Sequence, residues 1–352
     1  MLGLGLLHLV ALVIVVVLVG VWRKRSKPKA PEYFLLPDAP KDTVVLHQYG
    51  AAPSVPSISP FVMKLETYLR VADIPYIIIS SCSNDSVYFL SRPSLELFLS
   101  FLLPDAPKDT VVLHQYGAAP SVPSISPFVM KLETYLRVAD IPYINKYDRW
   151  PGPKEKLPWI QYNNQAVPDS QRCVEFLNQE RGVDLNKKLG PGELALGHLL
   201  RRTCEESLYW ILLMWRLVFD PNATIYNRMS IPKPIIWYMR RNAQGRLWSQ
   251  GIGRHSEQEV THMMEEDLAA VSNLIGKNKF LFGDTRDCVT EFDCAVFGQL
   301  CQLVWQMPGC SVQETIESKY PNLVTFCENM KTTFWPDWDD RLLRAGRKSS
   351  TK

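Results

Sequence analysis

No C-x-x-C pair occurs anywhere in the 352 residues, and the eight cysteines are scattered at irregular spacing. Such a set suits reduced thiols in a reducing compartment rather than a disulfide framework. Cys288 and Cys294, six apart, have no histidine at ligand spacing, so no metal site is expected. The chain also lacks a charge excess of either sign. Its 39 Lys+Arg against 36 Asp+Glu leave a formal +3, a surplus that Arg23, Lys24, Arg25, Lys27 and Lys29 more than account for, which points away from nucleic acid or another polyanionic partner. The apolar run at the start has no basic residue before it and no small-x-small site after it. A cleaved signal peptide normally carries both.

What stands there instead is Leu2 to Val21, apolar apart from His8, followed at once by the basic cluster. About 20 apolar residues suffice to cross a bilayer, so residues 1–30 read as a single-pass membrane anchor with its basic flank. Positive flanking charge keeps the bulk of the chain in the cytoplasm; the membrane, mitochondrial outer membrane or endoplasmic reticulum among the candidates, is not specified by the sequence.

Residues 34–77 recur, residue for residue, as 101–144, at a constant offset of 67. Surface positions of natural repeats drift, so perfect identity indicates a very recent exon duplication or a gene-assembly error. The piece between, Ile78 to Ser100, is serine-rich, holds an isolated Cys82 and contains no lysine, as translated intron would. Because one sheet offers one place for this segment, residues 31–107 are expected to stay outside the packed core, and the second copy to do the work.

In that second copy Val111, Val112 and Leu113 form a short apolar strand, ended by a Gly/Pro/Ser cluster. A helix should start at Ser126, whose hydroxyl can cap free N–H groups, with Pro127 at the first helical position. Val129, Leu132 and Leu136 then recur at helical spacing until Ile141-Pro142. Leu157-Pro158-Trp159-Ile160 places a proline before another apolar strand, and Val167-Pro168-Asp169-Ser170 precedes a further helical pattern. Past Gly190 the texture becomes helical: Pro191 to Phe219, Ile235 to Trp248, a Ser256/Glu259 capping box opening a helix through Leu274, a Thr290/Asp293 box opening the run Cys294 to Trp305, and Tyr320 to Phe334. With 46% hydrophobic residues, the chain can bury a full core in two domains.

The order and spacing of these pieces resemble the glutathione transferase family. His114-Gln115, Ser124-Ile125-Ser126-Pro127-Phe128, Leu157-Pro158-Trp159-Ile160, Gly251-Ile252-Gly253-Arg254 and Phe334-Trp335-Pro336 are similar to its failed axon connections group, which with the cadmium-responsive proteins and metaxins forms one branch. The resemblance implies an α/β thioredoxin-like domain at 108–182 and an all-helical domain at 190–340, preceded by the anchor and followed by a basic disordered tail, 341–352. It implies glutathione as co-substrate, a cis-proline at Pro158 whose neighbouring backbone, Trp159 included, pairs with the tripeptide, and a γ-glutamyl site at Asp169 and Ser170. Ser126 occupies the position where relatives carry a nucleophilic cysteine, and Val129 that of a resolving cysteine, so thiol–disulfide exchange is excluded there. A hydroxyl at Ser126, or at Tyr116 near the strand's end, could hold a glutathione thiolate. Equally, Ser126 reads as a helix cap alone and His114 as a core histidine. Two functions stay open: a membrane-anchored glutathione transferase acting on small electrophiles, or a non-catalytic binding platform serving import, assembly or axon development through a homodimer or protein partner.

Overall fold

The computed structural model of the chain describes residues 44–49, 59–81, 108–147, 152, 154, 156–163, 165–308 and 310–343. Leu2 to Val21, and with it the expected anchor, lies outside the described residues. Among those residues no helix is long and apolar enough to cross a membrane. The chain divides into two compact units, Met1–Arg92 and Pro93–Lys352.

The first unit holds strand β1 (Val44–Tyr49), helix α1 (Pro60–Val71) and strand β2 (Tyr76–Ser81), with the strands parallel and Val44 opposite Tyr76. The first copy was expected to have no sheet of its own; it makes this two-stranded one. It does so because Ile77, Ile78 and Ile79 carry the β-branched character a strand needs, so β2 takes its last four residues from the stretch read as intron-like linker. The second unit repeats the motif as β3 (Val111–Gln115), α2 (Pro127–Val138) and β4 (Tyr143–Tyr147), in the same register, Val111 opposite Tyr143. Here β3 pairs further with antiparallel β5 (Trp159–Tyr162), and β5 with β6 (Gln165–Pro168), giving the order β4-β3-β5-β6 before helix α3 (Ser170–Arg181). Burial follows from that context. Leu132 and Tyr135 are fully buried, whereas their counterparts Leu65 and Tyr68 are 45% and 59% exposed.

The helical half begins with α4 (Pro191–Thr203), which runs through a π turn, Cys204–Leu208, into α5 (Tyr209–Met214) and a second π turn, Trp215–Phe219. Then come α6 (Thr224–Arg228), α7 (Lys233–Gln250), α8 (Glu257–Ile275), α9 (Glu291–Trp305), α10 (Ser311–Lys319) and α11 (Pro321–Phe334). Reciprocal boxes cap α8 (Ser256 with Glu259) and α9 (Thr290 with Asp293). Helix α9 is buried along nearly its whole length. It lies so close on α2 that a Cβ at Gly298 would stand 2.5 Å from the Pro127 carbonyl oxygen. Beyond α11, Trp335 Nε1 donates to Thr134 Oγ1 (3.1 Å), Asp337 accepts from Arg137 (2.6 Å), and the Arg137 guanidinium lies 3.9 Å over the Trp335 ring. The tail expected to be disordered from residue 341 is corrected at its first residues. Residues 341–343 continue a helical turn, and Arg341 joins Arg137 on the fully buried Glu133 carboxylate.

Candidate functional site

Pairing register gathers the pieces. His114 near the end of β3 faces Trp159 at the start of β5, which faces Pro168 at the end of β6. One row across the sheet therefore sets three things at a single edge: the loop from β3 to α2, the Leu157-Pro158 peptide, and the Asp169-Ser170 turn into α3. That peptide is cis.

Ser126 is the N-cap of α2, half-buried, and its Oγ accepts from Val129 N at 3.4 Å. An accepting hydroxyl keeps its own O–H to donate, and it does so here at the electropositive end of a 12-residue helix. Asp169 caps α3, accepting from Gln171 N (3.0 Å) and Arg172 N (3.3 Å), with φ at +80° and its carboxylate exposed. Ser170 is buried beneath it. The Trp159 ring is buried too, stacked on His114 with centroids 3.5 Å apart, and Gly152 lies where a Cβ would stand 2.2 Å from the indole. Trp159 can thus meet a ligand only through its main chain. Tyr116 sits half-exposed just past β3. Burial lifts its phenol above the ordinary value while the Arg246 cation opposes the rise, and Tyr209 responds in the same way. Phe128, in the first turn of α2, meets Tyr209 edge-on at 4.8 Å. Tyr116, Phe128, Tyr209 and Arg246 accordingly form an aromatic wall with one cation beside the polar edge. Five buried thiols take no part: burial pushes Cys173, Cys204, Cys294, Cys301 and Cys327 far up, so none of these is a thiolate.

Several side chains that hold this edge were missed in the sequence. Arg216, buried in the second π turn, donates to the Ile125 carbonyl (3.2 Å) and to Gln302 Oε1 (2.8 Å). Gln302 Nε2 donates to the Ser124 carbonyl (2.9 Å), and Gln306 Oε1 accepts from Ser121 N (2.9 Å). The loop before Ser126 is thereby pinned to α9. Burial lowers the Arg216 pKa, and among the described residues it bonds only neutral oxygens, those of Ile125, Gln302 and Gln306, so its positive charge lies uncompensated behind the Ser126 loop. Lys131, one turn further along α2, is buried and donates to Glu205 Oε1 (2.5 Å) and Gln171 Oε1 (2.7 Å), while Arg201 holds the other Glu205 oxygen (2.8 Å). A signal existed: Gln299 and Gln302 are polar residues inside the largely apolar run of α9, and Gln306 caps its end. Two surface clefts, of about 650 Å³ beside the start of α8 and about 450 Å³ beside the second π turn, contain none of Ser126, Pro158 or Asp169.

A sequence profile of the glutathione S-transferase N-terminal domain matches residues 127–222, and one of the C-terminal domain matches 264–330. The chain is similar to the Drosophila melanogaster protein "Failed axon connections", 27% identical over 66% of this chain and 60% of that protein. It is similar to isoprene-epoxide–glutathione S-transferase of Rhodococcus sp., 26% identical over 64% of this chain and 99% of the enzyme. A third relative is the Arabidopsis thaliana mitochondrial outer membrane import complex protein METAXIN, 21% identical over 60% of this chain and 69% of that protein. The chain thus spans less than two thirds of the length of the first of these.

Proposed function

Because this chain belongs to the glutathione S-transferase-like superfamily, related to failed axon connections and the metaxins, we propose that it is a membrane-held, cytosol-facing protein that binds glutathione at the Ser126 edge and transfers it to small electrophiles. The observation that carries this reading is the single row His114, Trp159, Pro168, because it sets a free hydroxyl, a cis-proline and an acidic turn at one edge. Glutathione would lie across the start of α2, its backbone beside Pro158 and its γ-glutamyl end at Asp169 and Ser170. The Ser126 O–H would donate to the sulfur. With the helix dipole and the buried Arg216 charge, that bond favours thiolate over thiol, and the thiolate is the attacking species. Tyr116, kept protonated by its surroundings, is suited to donate a hydrogen bond to the electrophile without giving up its proton.

Calorimetry with glutathione tests this. Asp169→Asn keeps a side-chain cap and tolerates positive φ while losing the charge, so the dissociation constant should rise about tenfold to a hundredfold, roughly 1.4 to 2.8 kcal/mol for one charge-assisted contact. Ser126→Ala should lower turnover more than binding. No binding at millimolar glutathione would leave the second reading, a non-catalytic platform, which the similarity to an import-complex protein favours. Membrane attachment through Leu2–Val21 is part of the same proposal and is checked by carbonate extraction of the full chain.

A further inference from the structure

The two family matches stop at 222 and resume at 264, and the segment between them is chemically unlike the rest of the chain. From Pro221 to Ser256 there are six lysines and arginines and no aspartate or glutamate. Half of this segment is α7, which packs by one narrow stripe, Ile236, Ala243 and Leu247. Arg240 fixes it in place by donating to the carbonyls of Leu217, Asp220 and Pro221 (2.8–3.0 Å). The outward side is aromatic where a water-facing helix would be polar: Trp237, Tyr238 and Trp248 are 65%, 64% and 55% exposed.

At 100° per residue, Trp237, Arg241 and Trp248 fall on one line along that side, the two indoles about 16 Å apart at 1.5 Å per residue. Arg241 lies 5.9 Å from the Trp237 ring centroid and Arg254 5.3 Å from that of Trp248. Among the described residues no carboxylate forms an ion pair with Lys233, Arg241, Arg246 or Arg254. Exposed tryptophan and tyrosine beside uncompensated cations is the composition of a helix lying in the headgroup layer: the rings seat at the water–acyl boundary and the cations meet lipid phosphate and carboxylate.

We propose that the outer side of α7 is a docking surface for an anionic phospholipid membrane, with Trp237 and Trp248 inserted and Arg241 and Arg254 on the headgroups. It rests neither on glutathione chemistry nor on Leu2–Val21.

The test uses the full chain in vesicles carrying brominated acyl chains, made either of phosphatidylcholine alone or with one quarter phosphatidylserine. Attachment through the apolar N-terminal segment would be the same in both, so composition is the discriminating variable. The quenching of tryptophan emission lost in the Trp237→Phe/Trp248→Phe double variant should be at least twofold greater with phosphatidylserine than without. Arg241→Glu/Arg254→Glu should remove that difference, with an unchanged circular dichroism spectrum, since both residues are on the surface. Equal quenching of wild type and the Phe variant in both lipids overturns the proposal. So does binding of polyglutamate at this side without lipid-dependent quenching, which would assign it to an acidic protein partner.

Discussion

The exact duplication makes each substitution in α2 a paired experiment with its own control in α1. Leu132 and Leu65 have the same neighbours in sequence, the same helix and the same cap, yet one is fully buried and the other 45% exposed. Leu132 packs among Val111, Leu136, Ile160, Val174 and Leu177. Truncating it to alanine removes about three methylene equivalents and leaves a cavity between sheet and helices, a cost of roughly 3–5 kcal/mol. A body of this size loses about 2–4 °C of Tm per kcal/mol, so Leu132→Ala should lower the melting transition by about 6–20 °C. Leu65→Ala removes surface that is largely wet already and should stay within about 0.5 kcal/mol, or 2 °C. Far-UV circular dichroism melts of the two variants, side by side, decide the matter. Equal shifts, or a larger one for Leu65→Ala, would refute the assignment of the second copy to the core and with it the site built on that copy.

Three further outcomes follow from the same contacts. Gly298→Ala would drive a Cβ to 2.5 Å from Pro127 O and 2.9 Å from Lys131 N, so α2 and α9 must separate, at about 1–3 kcal/mol by urea titration. Lys131→Met leaves Glu205 buried with Arg201 alone and should cost about 2 kcal/mol, discounted from the full buried-pair value because one cation remains; adding Glu205→Gln should cost more, since it strands the buried Arg201 charge. Burial raises the Asp293 carboxyl from 3.8 to about 6, so the folded state binds this proton more tightly than the unfolded chain does. Its contribution to stability is therefore full below pH 4 and is lost as pH rises through 6, on the order of 3 kcal/mol. Wild-type stability relative to Asp293→Asn should fall over that range, and a relative rise would contradict the sign.

Local chemistry was legible in the sequence and long-range chemistry was not. The caps at Ser126, Ser256 and Thr290 depend on residues three positions away, and the Ser-Pro start at Ser126 and the two boxes at Ser256 and Thr290 could be read directly. Pro158 and Asp169 were legible through their spacing in a familiar pattern. By contrast Lys131 reads as one more exposed lysine on an amphipathic helix, because the partners that bury it lie 40 and 74 residues further along. The two π turns carry no sequence signature, although one of them presents Glu205 to Lys131 and the other presents Arg216 to the loop before Ser126.

Glu66 and Glu133 show where sequence stops and context begins. Both sit in the same 44-residue string, and both carboxylates are buried within their units. Through one oxygen Glu66 takes what the string itself supplies, Arg70 at 2.6 Å and Tyr76 at 3.1 Å, and among the described residues its other oxygen finds no partner. Glu133 keeps the matching Arg137 (3.4 Å) and Tyr143 (3.0 Å), accepts from Gln115 (2.9 Å), and from beyond the string gains Asn145 (3.2 Å) and Arg341. Asn145 is the first residue beyond the repeated string, and Arg341 comes from the far end of the chain. A carboxylate with only local donors holds a strand–helix–strand unit together; one that also collects donors from beyond the repeat ties α2 to the rest of the body. Ser126 opens that same helix, so the position of its hydroxyl is fixed from outside the duplicated segment, which is why Ser59, with an identical cap in an identical string, is not an equivalent site.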